Sequence, residues 1–594
     1  MLYATLKPIK MLISNMVEVR NLILAVILSV LIMTGWRFIY DKFFTTQHII
    51  EDNTNSDTMI PEIDDSFTHK TRSEIIGSNT DTRLNLSNKK IHGSISLKGA
   101  QFDDLIFKNY HVTPDSNSDG IILLSPEETE GVYFIEFGWI DPQHKIALPN
   151  HSSIWNSDQP TLSPNNPITL TWDNKEGIIF KIKITLDNDY MFKIEQIVTN
   201  NTNSTVNLIP YGRINRSKHT TEKSYWISHE GAVGSFSNTL KEWTYKTITK
   251  EKNIRIQSQY TNDDHNQWIG IGDKYWFTAL IPNVLQKSKV NFHVKHAKHN
   301  SEDRFQVDFS HDNYIAHPNK TVSSTSYLFA GAKELKLLDK YKDNLNIALF
   351  DKAVDFGVLY FITKPVFLLL EYFYDVIGNF GLAILLLTVV IKLIMFPLSY
   401  KAYISMLKLK HLQPDILKIK ELYKNDNDKM SKEISAIFKK NNVNPMSGFM
   451  PILIQIPVFF ALYKVLFVTI EMRHAPFYLW IKDLSSFDTA NVLTMFGLLK
   501  FNVPICIGIL PVILGITMVI QQKLNNSNSL NQDKAQANFM KFLPYIFIFI
   551  FSSFPAGLII YWICSNSITI IQQLIIKQYA SKKFNFQKVA KQEG

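Results

Sequence analysis

Apolar and polar positions are segregated along this chain, and the period of the pattern changes twice. "NLILAVILSVLIMTGW", residues 21–36, is an apolar run behind Lys7, Lys10 and Arg20; the aromatic "WRFIY" follows it, and no small-x-small cleavage site does. This predicts an uncleaved signal anchor, TM1 over 21–40, after a cytoplasmic N-terminus at 1–20. Residues 41–80 read as a flexible linker, rich in Asn, Asp, Ser and Thr. From 81 to 345 the period becomes two. In "GIIFKIKITL" the side chains Ile178, Phe180, Ile182, Ile184 and Leu186 alternate, "DNDY" turns the chain and "MFKIEQIVTN" returns it, which is a hairpin signal. "GVYFIEFGWI", "STVNLIPYGRI", "VNFHVKHA" and "TSYLFAGA" repeat the theme, so the region is expected to be an all-β antiparallel sandwich. The anchor before it puts this domain outside the cytoplasm.

Beyond residue 353 long apolar runs take over. "VDFGVLYFITKPVFLLLEYFYDVIG", 354–378, carries Lys364, Glu371 and Asp375 among aromatics and reads as an amphipathic helix in the outer interface. Five spanning segments follow: TM2 at 379–399, TM3 at 448–469, TM4 at 503–522, TM5 at 538–553 and TM6 at 556–576. With the anchor these make six, so both termini are expected in the cytoplasm.

Loop charges bear on that topology independently. The 400–447 connector holds ten lysines, as a cytoplasmic loop should. Met430, Ile434, Ile437 and Phe438 recur there at helical spacing after "KNDND", which predicts a helical hairpin. The 523–537 loop and the 577–594 tail are basic too, whereas the 470–502 loop is aromatic and near charge balance. The net charge of +9, from 62 Lys+Arg against 53 Asp+Glu, therefore reflects membrane orientation and forms no nucleic-acid-binding stripe. The two cysteines, Cys506 and Cys564, both lie in apolar runs, which leaves the β region without a disulfide framework or zinc knot. Phosphate-loop, HExxH and GxSxG motifs are absent from the sequence, so no nucleotide, metal or cofactor is expected, and an enzyme is not.

The candidate chemistry is one cation in hydrocarbon. "AILLLTVVIKLIMFPL", 383–398, places Lys392 eleven residues past Gly381, roughly 16 Å into a helix. A lysine there costs on the order of 3 kcal/mol on insertion scales. Thr388, four residues earlier, shares its helix face. Three readings compete for Lys392. It snorkels toward the headgroups, although roughly 12 Å remain to Lys401. It forms an ion pair, although the other predicted spans supply no acid. Or it serves a hydrated cavity with a transient anionic guest. Polar atoms for such a cavity come from Gln455 in "PILIQIPVFF" and from Ser565, Asn566, Ser567, Thr569, Gln572 and Gln573 in "IYWICSNSITIIQQ"; each taken alone also suits interhelical bonding.

At these residues the chain resembles the YidC-type membrane protein insertases, in the branch with a large periplasmic domain. The match runs in order through "GNFGLAILLLTVVIKLIMFPL", "SMLKLKHLQPDILKIKELY", "NPMSGFMPILIQIPVFFALY", "APFYLWIKDLS" and "FPAGLIIYWICSNSITIIQQ"; "QWIGIGDKYWFTALIP" fits the β domain. The resemblance implies a polytopic α-helical protein of the inner membrane, with a five-helix core and a periplasmic β-supersandwich. It implies a groove open to cytoplasm and lipid, whose cation attracts acidic parts of nascent membrane proteins. The partners it implies are the Sec translocon, membrane lipids, and ribosomes or targeting factors at the cytoplasmic hairpin and basic tail. By position, Lys392 stands where the family usually has arginine, Thr388 shares its groove face, and Tyr561 and Trp562 stand where two tyrosines are common. Lysine keeps the charge without the planar fork, and Trp keeps an amphipathic ring without the hydroxyl. The expected groove is Lys392, Thr388, Gln455, Tyr561, Trp562 and Ser565. The competing functions are a secondary transporter with Lys392 as its coupling charge, against which stands the lack of visible repeats, and an anchored carbohydrate-binding or sensing module.

Overall fold

The computed structural model describes residues 50–51, 70–78, 82–217, 228–259, 265–283, 289–299, 302–312, 314–424, 426–444, 450–494, 507–525 and 534–584. The expected anchor over 21–40, most of the 41–80 linker, Cys506, most of the 523–537 loop and residues 585–594 of the tail lie outside these.

Alternation produces the expected hairpin. Ile178–Leu186 pairs antiparallel with Met191–Asn200, Ile178 opposite Asn200 and Leu186 opposite Phe192. Its alternating apolar side chains are at most 3% exposed, and Lys181 and Lys183 point to the other face. Among the described residues the strands form two sheets. The nine-stranded sheet runs Thr239–Thr244, Gly231–Phe236, Trp268–Gly272, Trp276–Asn283, Lys320–Ala332, Met191–Asn200, Ile178–Leu186, Ile168–Asp173 and Asn156–Ser157. The twelve-stranded sheet is centred on Val206–Ser217, between Glu302–His311 and Tyr133–Ile140. Rings cross from one sheet to the other: Phe102 meets Phe192 at 5.5 Å, Trp139 meets Phe180 at 5.0 Å and Phe236 meets Phe292 at 5.0 Å. The sheets thus pack face to face over an aromatic core.

The helices are α1 (Arg72–Ser78), α2 (Tyr245–Glu251), α3 (Leu335–Asn344), α4 (Tyr360–Ile377), α5 (Phe380–Leu422), α6 (Asn427–Lys440), α7 (Met450–Val468), α8 (Ile509–Asn525), α9 (Lys534–Phe551) and α10 (Ala556–Phe584). Gly378 ends α4 with φ 75°, a left-handed cap that glycine adopts at little cost, and Asn379 begins α5 by accepting the Leu382 N–H at 3.1 Å. Two residues therefore separate an amphipathic helix from an apolar one.

The boundary expected at 399/400 falls inside a continuous helix. α5 runs for 43 residues through Pro397 and Pro414, roughly 64 Å, about twice the thickness of a bilayer's hydrocarbon. No glycine or asparagine cap lies near 399, and residues 401–422 are rich in Lys, Leu and Ile, so nothing local stops the helix. Three helical segments are long and apolar enough to cross a membrane by length and composition, Gly357–Ile377, Phe380–Leu422 and Ala556–Ala580; Leu453–Val468, Ile509–Leu524 and Lys541–Phe551 are apolar but shorter.

One apolar core extends from the sheets into the helices and includes Phe329, Phe350, Phe367, Leu462 and Leu558. Polar clasps reinforce this junction. Lys364 of α4 reaches Asp339 and Asp351, both at 2.8 Å, Lys464 of α7 meets Asp355 at 3.0 Å, and Arg473 donates to the His111 carbonyl at 2.8 Å.

Candidate functional site

Four helices, α5, α7, α8 and α10, line an open-sided cavity of about 250 Å³ beside Lys392. Helical spacing explains its walls. From α5 come Lys392, Met395, Ser399, Ala402, Tyr403 and Met406, and from α10 Trp562, Ser565, Asn566, Thr569, Gln572, Gln573 and Ile576, each set recurring once per helical turn along one stripe. On the opposite side of α5, Leu393 and Ile394 are 64% and 75% exposed. The charge and the apolar surface are thus turned in opposite directions.

The ammonium of Lys392 donates to Gln455 Oε1 at 3.2 Å and to Thr569 Oγ1 at 3.1 Å. Among the described residues no carboxylate lies within ion-pair distance of it. Gln455 is a relay: its amide nitrogen donates to the Tyr561 hydroxyl, which is 1% exposed. Thr569 donates in turn to the Ser565 carbonyl at 2.8 Å, so its oxygen is oriented to receive the lysine. The cation is held by neutral oxygens that satisfy its hydrogen bonds and leave its charge uncompensated.

The expected groove residues divide. Lys392, Gln455, Trp562 and Ser565 line the cavity. Tyr561 lies behind the wall and reaches it through Gln455. Thr388 is fully buried, donates to the Ile384 carbonyl at 2.7 Å and is not among the lining residues. A threonine inside a helix readily bonds the carbonyl four residues back, and that consumes its polar face. Trp562 stacks on Phe459 at 4.7 Å and meets Phe551 edge-on at 4.2 Å, a packing role for which a hydroxyl is not needed. Ser399, Tyr403 and Gln521 also line the cavity. The first two lie seven and eleven residues beyond Lys392, a spacing visible in the sequence; Gln521 comes from another helix and carries no such signal.

A second, smaller cavity of about 140 Å³ in the β region is lined by Glu136, Arg213, Tyr211 and Trp139 among others. There the Glu136 carboxylate is met by Arg213 at 2.9 Å and by the Tyr211 hydroxyl at 3.0 Å. The charge of Glu136 is thus met by Arg213, whereas Lys392 has neutral partners only, and the cavity beside Lys392 is the better candidate.

Comparison with known proteins bears on both parts of the chain. Residues 372–583 match the model of the 60 kDa inner membrane protein family, and residues 83–369 match the YidC periplasmic domain. Relatives named membrane protein insertase YidC include those of Rickettsia typhi, 43% identical over 94% of this chain and 99% of the relative, and Rickettsia bellii, 42% identical over 94% and 98%. Among solved structures, a crystal structure of an active YidC insertase with its first transmembrane domain resolved is 14% identical, with a TM-score of 0.32, over 92% of this chain and 98% of that one. A galactose mutarotase related enzyme from Lactobacillus acidophilus is 10% identical, with a TM-score of 0.30, over 42% of this chain and 97% of its own.

Proposed function

The chain belongs to the YidC family of membrane protein insertases, an inner-membrane family with a β-rich periplasmic domain and apolar C-terminal helices, and we propose that it inserts and folds membrane proteins through the groove around Lys392. The observation that carries this reading is a cation facing a cavity with neutral partners only. In a low-dielectric wall such a charge attracts an acidic tail strongly. A tail that enters the groove crosses a shortened hydrocarbon path, and burial of the substrate's apolar segment in lipid drives the transfer without nucleotide.

The finer architecture follows the same reading. Six spans place both termini in the cytoplasm, residues 354–378 lie in the outer interface, and the two sheets form a periplasmic β-supersandwich. The cytoplasmic end of α5 with α6, together with the basic tail, receives ribosomes or targeting factors. Larger substrates are handled beside the Sec translocon, and lipid closes the groove's open side. A transporter reading has no observation in its favour.

The test is depletion of the native protein and complementation with Lys392→Arg, Lys392→Ala and Lys392→Glu, scoring insertion of a small single-span protein with an acidic N-terminal tail. Arg is expected to support insertion, Ala to lower it roughly tenfold, the worth of about 1.4 kcal/mol, and Glu to abolish it. Wild-type insertion by Ala and Glu would remove the groove charge from the mechanism.

A further inference from the structure

The two walls of the groove differ in kind. The α5 wall mixes Met395, Ala402 and Met406 with Ser399 and Tyr403, while the α10 wall between Trp562 and Ile576 is a row of amides and hydroxyls. On that row the Gln573 side-chain oxygen is enclosed and has no hydrogen-bond partner among the described residues. None of the described protein groups takes this acceptor, so a guest in the groove can bind it by supplying a donor. An acidic side chain or a phosphate cannot supply it, since both only accept. A peptide N–H can.

The spacing agrees. Thr569, which holds Lys392, and Gln573 are four residues apart on one face of α10, about 6 Å along the axis. One edge of an extended chain presents its peptide groups every ~6.6 Å. Lys392 has three N–H groups, of which Gln455 and Thr569 take two. The third is left to meet a carbonyl while Gln573 meets an N–H one repeat away.

We infer that Gln573 is a substrate-binding residue that takes a main-chain N–H of the translocating tail, so that the α10 wall reads the backbone of an extended segment while the methionine-lined α5 wall accommodates whatever side chains it carries. This rests on the groove reading above and adds a term to it: main-chain recognition gives affinity that is independent of tail sequence, and methionine adapts to many shapes. The lysine then contributes the preference for acid, and the amide wall the tolerance.

The test uses the full chain reconstituted in vesicles and a synthetic single-span protein whose tail amides are replaced one at a time by esters, which deletes an N–H and keeps the chain's shape. With the wild type, one ester position is expected to lower insertion roughly threefold to tenfold. Gln573→Met is expected to lower insertion of the all-amide tail by a similar factor, for acidic and neutral tails alike, and to be indifferent to that ester. A flat ester scan, or an ester cost of equal size in both proteins, overturns the inference. Should Gln573→Met fail to accumulate, Gln573→Glu with a neutral tail retains the acceptor and must retain the ester sensitivity; its loss overturns the inference equally. Lys392→Met reports on the charge separately, because its penalty should be larger for the acidic tail. Failure of that result leaves the ester coupling to Gln573 to be decided by its own data.

Discussion

At the scale of single residues, the groove depends on how a lysine is kept charged without a counter-charge. Arginine in this position would divide its bonds over a planar fork, whereas the lysine ammonium is a compact point charge that needs oxygens in tetrahedral directions. Gln455 and Thr569 supply two of them. Gln455 also completes the buried hydroxyl of Tyr561, so one amide supports two polar groups on two other helices. Gln455→Met keeps the volume and removes both bonds, and should cost about 1–3 kcal/mol of stability; Tyr561→Phe removes one bond along with the group that needed it and should cost less. Thermal unfolding of the two variants in detergent decides the matter. Equal midpoints would mean that Gln455 does not bridge these helices. The lysine itself, Gln455 and the α10 stripe could be read from sequence because a charge and its polar neighbours stand out against hydrocarbon. Thr388 was misleading for a local reason: helical spacing gives its direction but not the carbonyl that satisfies it.

At the scale of elements, periodicity wrote the sheets and caps wrote some helix ends. The 178–200 hairpin follows from alternation alone, and Gly378 followed by Asn379 spells the α4–α5 break. The continuity of α5 through two prolines was not legible, because a hydropathy boundary marks where lipid ends and not where helix ends. The start of α3 carries a second feature hidden from sequence. Its first N–H, on Leu335, is accepted at 3.4 Å by Glu471, which lies just past α7 in the 470–502 loop, and the other oxygen of Glu471 is enclosed without a partner among the described residues. Burial, with the negative charges of Glu371 on α4 and Glu334 before α3 beside it, pushes this carboxyl from 4.5 up to about 8. Tyr110 also lies beside it, and Lys336 and Lys90 pair with Glu371 and Glu334. Between those values the folded protein holds a proton that the unfolded chain has lost, so stability falls as pH rises through the window and levels off above it. Glu471→Gln keeps the acceptor and removes the titration. Its midpoint should match the wild type near pH 5 and exceed it by a few degrees near pH 8. His229, held near 4 by burial, changes stability over a lower range in both proteins alike and cancels in the difference. A wild-type minus variant difference that is constant from pH 5 to 8 would show that Glu471 is ionised throughout.

At the scale of the whole molecule, the β-rich domain and the helices share a core, but the polar clasps between them come mainly from one short segment. Asp339, Asp351 and Asp355 lie between the last strand and α4, and they hold Lys364 and Lys464. The Lys464–Asp355 pair is about one-fifth exposed on each side, so breaking it leaves a partly desolvated cation on α7, the helix that also carries Gln455. Bundle geometry is therefore expected to depend on this segment more than on the sheets. Deleting residues 84–330 and rejoining the chain ahead of Lys333 should leave insertion measurable at reduced protein levels, whereas extending the deletion through residue 356 should abolish it. Asp355→Lys in the intact chain tests the same point without removing anything: it sets two cations against each other and should lower both accumulation and insertion. Adding Lys464→Asp reverses the pair and should restore much of the loss. If the long deletion inserts as well as the short one, or if the reversed pair rescues nothing, the segment is a tether and the groove is organised by the helices alone.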